Sequence, residues 1–297
     1  MQLLIGTAGF SYKDWEGIVY PPDLNRRKLH KLQYLAQFFD CCEINTSFYG
    51  HIQPKAGKHW CEKVAEVNPK FLFTAKLNKA FTHAPGAVVQ PTSADNIHPL
   101  PEDEKLARAG LDSIAKENRL GALLAQFPIS FKNTPENRDY MRALATRFKD
   151  YQLVIEIRHA SWEEQQVLAE LTSLGVGFVN IDQPRLGRAL RATSHATSPI
   201  GYVRLHGRNY KQWFEAERSE DRYNYLYKPS ELVPWKEKID EISRQAEKTF
   251  VIANNHYKGK AAVNALELKH MFSGGKVRTP GGLLREYPDL GPIAEPE

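Results

Sequence analysis

The chain has 297 residues, which suits one large α/β barrel of roughly 250 residues or two average domains. A hydrophobic fraction of 42% allows a sizeable core, and a net charge of +5 permits a nucleic-acid or phosphate partner without demanding one. Three cysteines, Cys41, Cys42 and Cys61, make neither a disulfide framework nor a zinc spacing; Cys41 and Cys42, in an apolar run, read as core thiols, and a reducing cytosol is expected.

From Met1 to Gly6 there is no basic region followed by a long apolar one, so no signal peptide is expected. No apolar stretch approaches the ~20 residues of a membrane span. A cytoplasmic protein without a membrane partner follows, and the Asn45-Thr46-Ser47 sequon then carries no meaning.

Short apolar runs alternate with amphipathic stretches along the chain. Leu3–Thr7 comes first, then Leu29, Leu32, Leu35 and Phe39 at helical spacing. Cys41–Thr46 precedes the helix face Trp60, Val64, Val67. Phe71–Leu77 is followed by a long Pro-, Ser- and Asn-rich connection, Ala84–Pro101, and then by Leu106, Gly110 and Ile114. Gly121–Phe127 leads to Thr134 as a cap, Pro135 as a first-turn proline, and Tyr140, Leu144, Phe148. After Leu153–Arg158, Ser161 and Glu164 suggest a capping box and Gly175 a helix stop. Gly177–Asp182 and Tyr202–His206 follow. The second long connection, Gly207–Ser230, is aromatic and charged and reads as a flap or a lid. Trp235, Ile239, Ile242 and Ala246 mark a helix before the last run, Phe250–Asn255, and Val263, Leu266 and Met271 mark another after it.

Each run reads as a buried parallel strand. Strand and helix alternating eight times predict a single TIM (β/α)8 barrel over 1–272. An open doubly wound sheet is the alternative, but Gly6 and Gly9 do not make its glycine fingerprint. Residues 273–297, rich in Gly and Pro, read as an extended C-terminal appendage.

Side chains alternate along a strand, and in a barrel one parity faces the lumen. That parity collects Glu43 and Asn45, Lys76 and Asn78, Gln126, Glu156 and Arg158, Asn180 and Asp182, Arg204 and His206, and Asn254. Charge inside apolar runs is costly unless paired or used, so a site at the carboxyl ends of seven strands is expected. Glu156 is the expected base and His206 its proton partner, with Glu43 and Asp182 as further catalytic acids. Lys76, Arg158 and Arg204 would hold a phosphate or carboxylate. An internal Glu156–Arg158 salt bridge is the structural alternative. His83 and His159 are further candidates, with loop capping the rival role for His83. Lys258, Gly259 and Lys260, at a helix start after the last strand, suit a phosphate or a solvated basic loop. No cofactor is predicted. A divalent metal on Glu43, Glu156, Asp182 and His206 is the rival reading, opposed by three cations on the same face. Lys76 as a Schiff-base nucleophile is a further one.

The motifs also resemble a known family. Ile5-Gly6-Thr7-Ala8-Gly9-Phe10-Ser11-Tyr12 with Trp15, Gly17, Tyr20 and Pro21, then Glu43-Ile44-Asn45-Thr46-Ser47-Phe48-Tyr49, resemble the YecE-like family, domain of unknown function seventy-two. Phe73-Thr74-Ala75-Lys76 with Thr82-His83, Gln126-Phe127-Pro128, Glu156-Ile157-Arg158-His159 and Tyr202-Val203-Arg204-Leu205-His206-Gly207 continue the match. Asn254-Asn255-His256-Tyr257 completes it, adding Tyr12 and Asn255 to the substrate-binding candidates. The resemblance implies a TIM barrel and no established activity. The barrel is loosely similar to the xylose-isomerase-like group that includes endonuclease IV, but departs from that group's metal-ligand pattern. The expectation is an enzyme using acid–base chemistry on a small anionic, phosphorylated or sugar-like substrate, as a hydrolase, lyase or isomerase. A nucleic-acid-binding or phosphodiester-processing barrel, with Tyr210–Tyr227 stacking on bases, and a non-catalytic ligand-binding protein are the alternatives.

Overall fold

A computed structural model describes residues 1–85, 92–184, 187–209 and 223–297. Eight parallel strands close into a barrel in sequence order. They are β1 Gln2–Ala8, β2 Cys41–Ile44, β3 Leu72–Lys76, β4 Leu120–Gln126, β5 Leu153–Glu156, β6 Gly177–Asp182, β7 Ile200–Leu205 and β8 Lys248–Ala253. The seam between β8 and β1 runs from Gln2–Lys248 to Thr7–Ala253. These runs are apolar on both faces because one packs into the lumen and the other against an outer layer. Leu4, Leu124, Val154, Val179 and Phe250 fill the amino-end half of the lumen, all buried.

The outer helices are α1 Lys31–Leu35, α2 Pro54–Ala65, α3 Pro101–Ala115, α4 Pro135–Arg147, α5 Gln165–Ser173, α6 Pro229–Gln245 and α7 Lys260–Ser273. Four of them, α2, α3, α4 and α6, start on proline, whose missing N–H would be unsatisfied in the first turn anyway. Thr134 caps α4 as expected, accepting from the Asn137 N–H at 3.3 Å.

Three expectations change. Ser161 does not cap α5; its hydroxyl meets His159 Nδ1 and accepts from the Asn133 N–H, and Glu164 caps without its side chain. Between β6 and β7 the described residues form no helix. An irregular strap over 187–199 lies there instead, tied by Thr197 Oγ1, which accepts from the Phe178 N–H at 2.8 Å and donates to the Val176 carbonyl at 2.7 Å. The third concerns the tail, which is not an extended appendage. It forms β9 Val277–Thr279, α8 Gly281–Glu286 and β10 Ala294–Pro296, with β9 and β10 paired in parallel. Val277, Leu283 and Leu290 join the main core. Gly259 permits that approach. Its φ is +80°, and a Cβ there would stand 2.9 Å from Val19 and 3.2 Å from Leu283. The Tyr287 hydroxyl donates to the Lys258 carbonyl at 2.7 Å.

Among the described residues, no helix is long and apolar enough to cross a membrane.

Candidate functional site

Register decides which side chains enter the lumen. Glu43 lies beside Thr74, Lys76 beside Leu124, Gln126 beside Glu156, and Arg204 beside Ile181 and Ile252. In a parallel pair neighbours share a face, so the polar set on β2, β3, β4, β5 and β7 faces inward together.

Arg204 is the centre of that set. Its Nη2 donates to Glu43 Oε1 at 2.6 Å and its Nη1 to Glu156 Oε2 at 2.5 Å and Gln126 Oε1 at 3.0 Å. Tyr202 donates to the second oxygen of Glu43 at 2.9 Å, and Thr74 meets the Tyr202 hydroxyl at 2.7 Å. Arg158 Nε donates to Glu156 Oε1 at 2.8 Å, and His206 Nε2 lies 3.2 Å from the same oxygen. Asn254 Nδ2 sits 2.8 Å from His206 Nδ1 on the other side of the ring.

Glu43, Glu156 and His206 are fully buried and Arg204 nearly so. Burial pushes the Glu156 carboxyl up, but Arg204, Arg158 and His206 outweigh it and hold it well below the usual range. Burial pulls Arg204 down, and the two carboxylates more than restore it, so it stays charged. Burial, only partly opposed by Glu156, brings His206 down to about 3, so its imidazole is neutral at neutral pH. Glu156 is therefore too weak a base for the role the sequence assigns it; it holds Arg204 in place.

Above this floor opens a cavity of about 420 Å³. Lys76, Asn45, Gln126, Arg204 and Asn254 form its polar side. Loop residues Phe10, Tyr12, Tyr49, Tyr223 and His256 form an aromatic wall. His256 stacks on Tyr12 with ring centroids 4.1 Å apart and 7° between planes, and the Tyr223 ring lies tilted against His256 at 4.8 Å. Burial brings His256 down to about 4, so it is a neutral ring, and its buried Nδ1 has no hydrogen-bond partner among the described residues. Tyr12 donates to the Ala8 carbonyl at 2.6 Å, and Tyr49 is 75% exposed at the rim.

Lys76 ends β3 beside this cavity, its Nζ 4.3 Å from the Phe48 ring centroid. Burial, helped by Arg204 and Arg158 and opposed by Glu43 and Glu156, brings the amine down to about 7. Of the three expected cations it is the one without a carboxylate partner among the described residues.

Other candidates lie elsewhere. Asp182 and Asn180 face outward, since Ile181 pairs with the inward Arg204 and Asp182 with the outward Leu205. Asp182 pairs with Arg208 at 2.8 Å, and Asn180 binds the strap at Thr193 and His195. The polar floor thus spans six strands rather than seven. His159 caps a turn by accepting from the Ser161 N–H, and Asn255 ties Tyr225 to Asn264. Asn78 likewise caps the turn at Ala80 and donates to the Ser47 carbonyl. His83 meets Thr82 and packs edge-on to Phe48, behind Lys76, and is brought down to about 4 mainly by burial. Arg158 supports Glu156 from behind the lining. Lys258 and Lys260 lie off the cavity; the Lys258 N–H meets Asp14 and the Lys260 amine meets Asn224. Residues 210–222 of the aromatic connection, and 86–91 of the earlier one, lie outside the described residues. Among the described residues, no three His, Cys, Asp or Glu side chains are grouped to hold a metal ion.

Residues 4–284 match the protein family of unknown function DUF72. The chain belongs to this family. The motif resemblance is thereby borne out over nearly the whole barrel. Among DUF72 relatives, UPF0759 protein YunF of Bacillus subtilis (strain 168) is 29% identical over 288 residues, covering 91% of this chain and 94% of that one. A DUF72 protein of Thermotoga maritima is 34% identical with a TM-score of 0.76, covering 92% of this chain and all of that one. One from Enterococcus faecalis, 24% identical, covers 92% of this chain and 96% of that one at a TM-score of 0.75 and shares the fold.

Of the aromatic wall, the sequence pointed only to Tyr12 and, within the aromatic connection, to Tyr223. The wall's rings come from four separate connections, after β1, β2, β7 and β8, and no period joins them. For the others the signal was that Tyr49 stands in the motif of Glu43 and His256 in that of Asn254.

Proposed function

We propose that this DUF72 protein is an enzyme that holds a small sugar-like molecule in the barrel mouth and moves protons on it. The observation that carries this reading is the cavity, about 420 Å³ with an aromatic wall and an ion-paired floor, at the strand ends where barrels build active sites. Tyr12, Tyr49 and Tyr223 offer rings to the C–H face of a sugar, while Asn45, Gln126 and Asn254 offer amides to its hydroxyls.

The charge balance favours a sugar over a phosphate. Two carboxylates, Glu43 and Glu156, offset two guanidiniums, Arg158 and Arg204, which leaves Lys76 as the remaining charge of that group. Lys76 is also the group tuned for proton transfer, since an amine near 7 both takes and gives a proton at neutral pH. The reaction classes this supports are isomerase and lyase. Three buried free thiols support a cytoplasmic location.

The test is calorimetric titration with trioses, pentoses and hexoses and their phosphates, with products followed by NMR. A free sugar is expected to bind and to be recovered changed, and Tyr49→Ala is expected to weaken binding several-fold without unfolding. Recovery unchanged would mark a ligand sensor. Failure of every sugar, with salt-dependent binding to DNA or RNA, would favour the nucleic-acid reading.

A further inference from the structure

We infer that Lys76 is a nucleophile that joins its substrate as an imine, and that the substrate class is therefore a small hydroxy-ketone or hydroxy-aldehyde. This rests on the sugar-like reading of the cavity and adds the reacting group.

Position comes first. Lys76 is the last residue of β3 and lines the same cavity as Asn254 and Gln126, amides able to hold hydroxyls beside a carbonyl. Pairing comes second. Both carboxylates near it are already committed. Glu43 gives one oxygen to Arg204 and the other to Tyr202, and Glu156 serves Arg204, Arg158 and His206. Neither forms an ion pair with Lys76. Third, the amine lies over the Phe48 ring, with His83 edge-on to the same ring. The charged groups facing it are Arg204, Arg158, Glu43 and Glu156, and His83 is neutral. Burial and the two guanidiniums together leave a large share of the amine uncharged at neutral pH, as a lysine nucleophile requires.

The step balances without an oxidant or reductant. The amine lone pair adds to the carbonyl carbon, and a proton passes from nitrogen to the former carbonyl oxygen. A second proton, from solvent, then reaches that oxygen, the C–O bond breaks, the oxygen leaves as water, and the C=N bond forms with the remaining proton still on nitrogen. The resulting iminium draws electrons from a neighbouring C–H or C–C bond, which suits an isomerase or a lyase.

The experiment uses the full chain with dihydroxyacetone and sodium borohydride, which reduces an imine to a stable amine, and maps adducts by peptide mass spectrometry. We expect one adduct, on Lys76, about tenfold or more above any other lysine. Its formation should rise with pH through about 7 and level off. Lys76→Arg should abolish it, and Lys260→Arg should leave it unchanged. Adducts spread evenly over the lysines would overturn the inference, as would unchanged total labelling in Lys76→Arg. The wild-type map needs no variant to fold. Calorimetric binding of dihydroxyacetone without any adduct would overturn the imine and leave the cavity reading standing; neither binding nor adduct, with dihydroxyacetone or any sugar of the wider panel, would overturn both.

Discussion

Strands β6 and β7 lie side by side with nearly the same alternation, Val179-Asn180-Ile181-Asp182 against Val203-Arg204-Leu205-His206. They use it in opposite senses. On β7 the polar residues enter the lumen and build the floor; on β6 they face out. What lies behind each strand explains the choice. Behind β7 is α6, whose Ile242 packs beside Gly201 and offers a polar side chain nothing. Behind β6 is the strap, whose Thr193 and His195 bind the Asn180 amide. A buried polar group goes where its hydrogen bonds are. Alternation narrows a strand to two orientations, and the outer layer selects one.

The comparison breaks most readily at Arg204. Arg204→Met leaves Glu43 and Glu156 buried without their shared cation and should cost about 3–5 kcal/mol in urea denaturation, with loss of sugar binding. A cost below about 1 kcal/mol would mean that β7 does not carry the floor. Asn180→Leu strands the polar groups of Thr193, His195 and Tyr202 and should cost about 2–3 kcal/mol. Sugar binding in the folded protein should stay as it was; a parallel loss would place Asn180 at the cavity after all.

Lys76 sharpens the contrast through pH. Its folded value lies below its unfolded one, so between about 7 and 10.5 the unfolded chain holds a proton that the folded chain has shed. Wild-type stability therefore rises with pH across that window on this account. Lys76→Met should be more stable by about 1–3 kcal/mol near pH 6, with the gap closing towards pH 10. A gap constant with pH would remove the buried amine. The smallest effect belongs to Asp182→Asn, whose partner Arg208 is 37% exposed. It should cost less than about 1 kcal/mol and leave sugar binding untouched.

The eight strands were legible because each is a short apolar run between helix signals, and no other element imitates that here. Parity was right wherever an apolar helix face covers the strand and wrong on β6, where the cover is polar and irregular. Neighbouring positions mislead in the same way. His159 stands three residues beyond Glu156 yet caps a turn, and Asn255 stands next to Asn254 yet anchors a loop. Residue type and neighbourhood do not say which way a backbone turns after its strand ends. The tail was misread because its Gly and Pro content suggests exposure, whereas Pro280, Gly281 and Gly282 start α8 and Pro288 opens a 3-10 helix, which seat Leu283 and Leu290 in the core.

That tail holds the aromatic wall from behind. Leu283 seats against Gly259, Tyr287 ties down the Lys258 carbonyl, and the Trp15 indole N–H reaches the His256 carbonyl at 2.7 Å. Those loops carry Tyr12 and His256. On the ribosome, Leu283 and Tyr287 emerge after every barrel strand, in a process that folds chains from the N-terminus onward. The strands that build the floor therefore precede in the chain the segment that props the wall. Closing the barrel and finishing the binding site are thus tasks of different stretches of the chain.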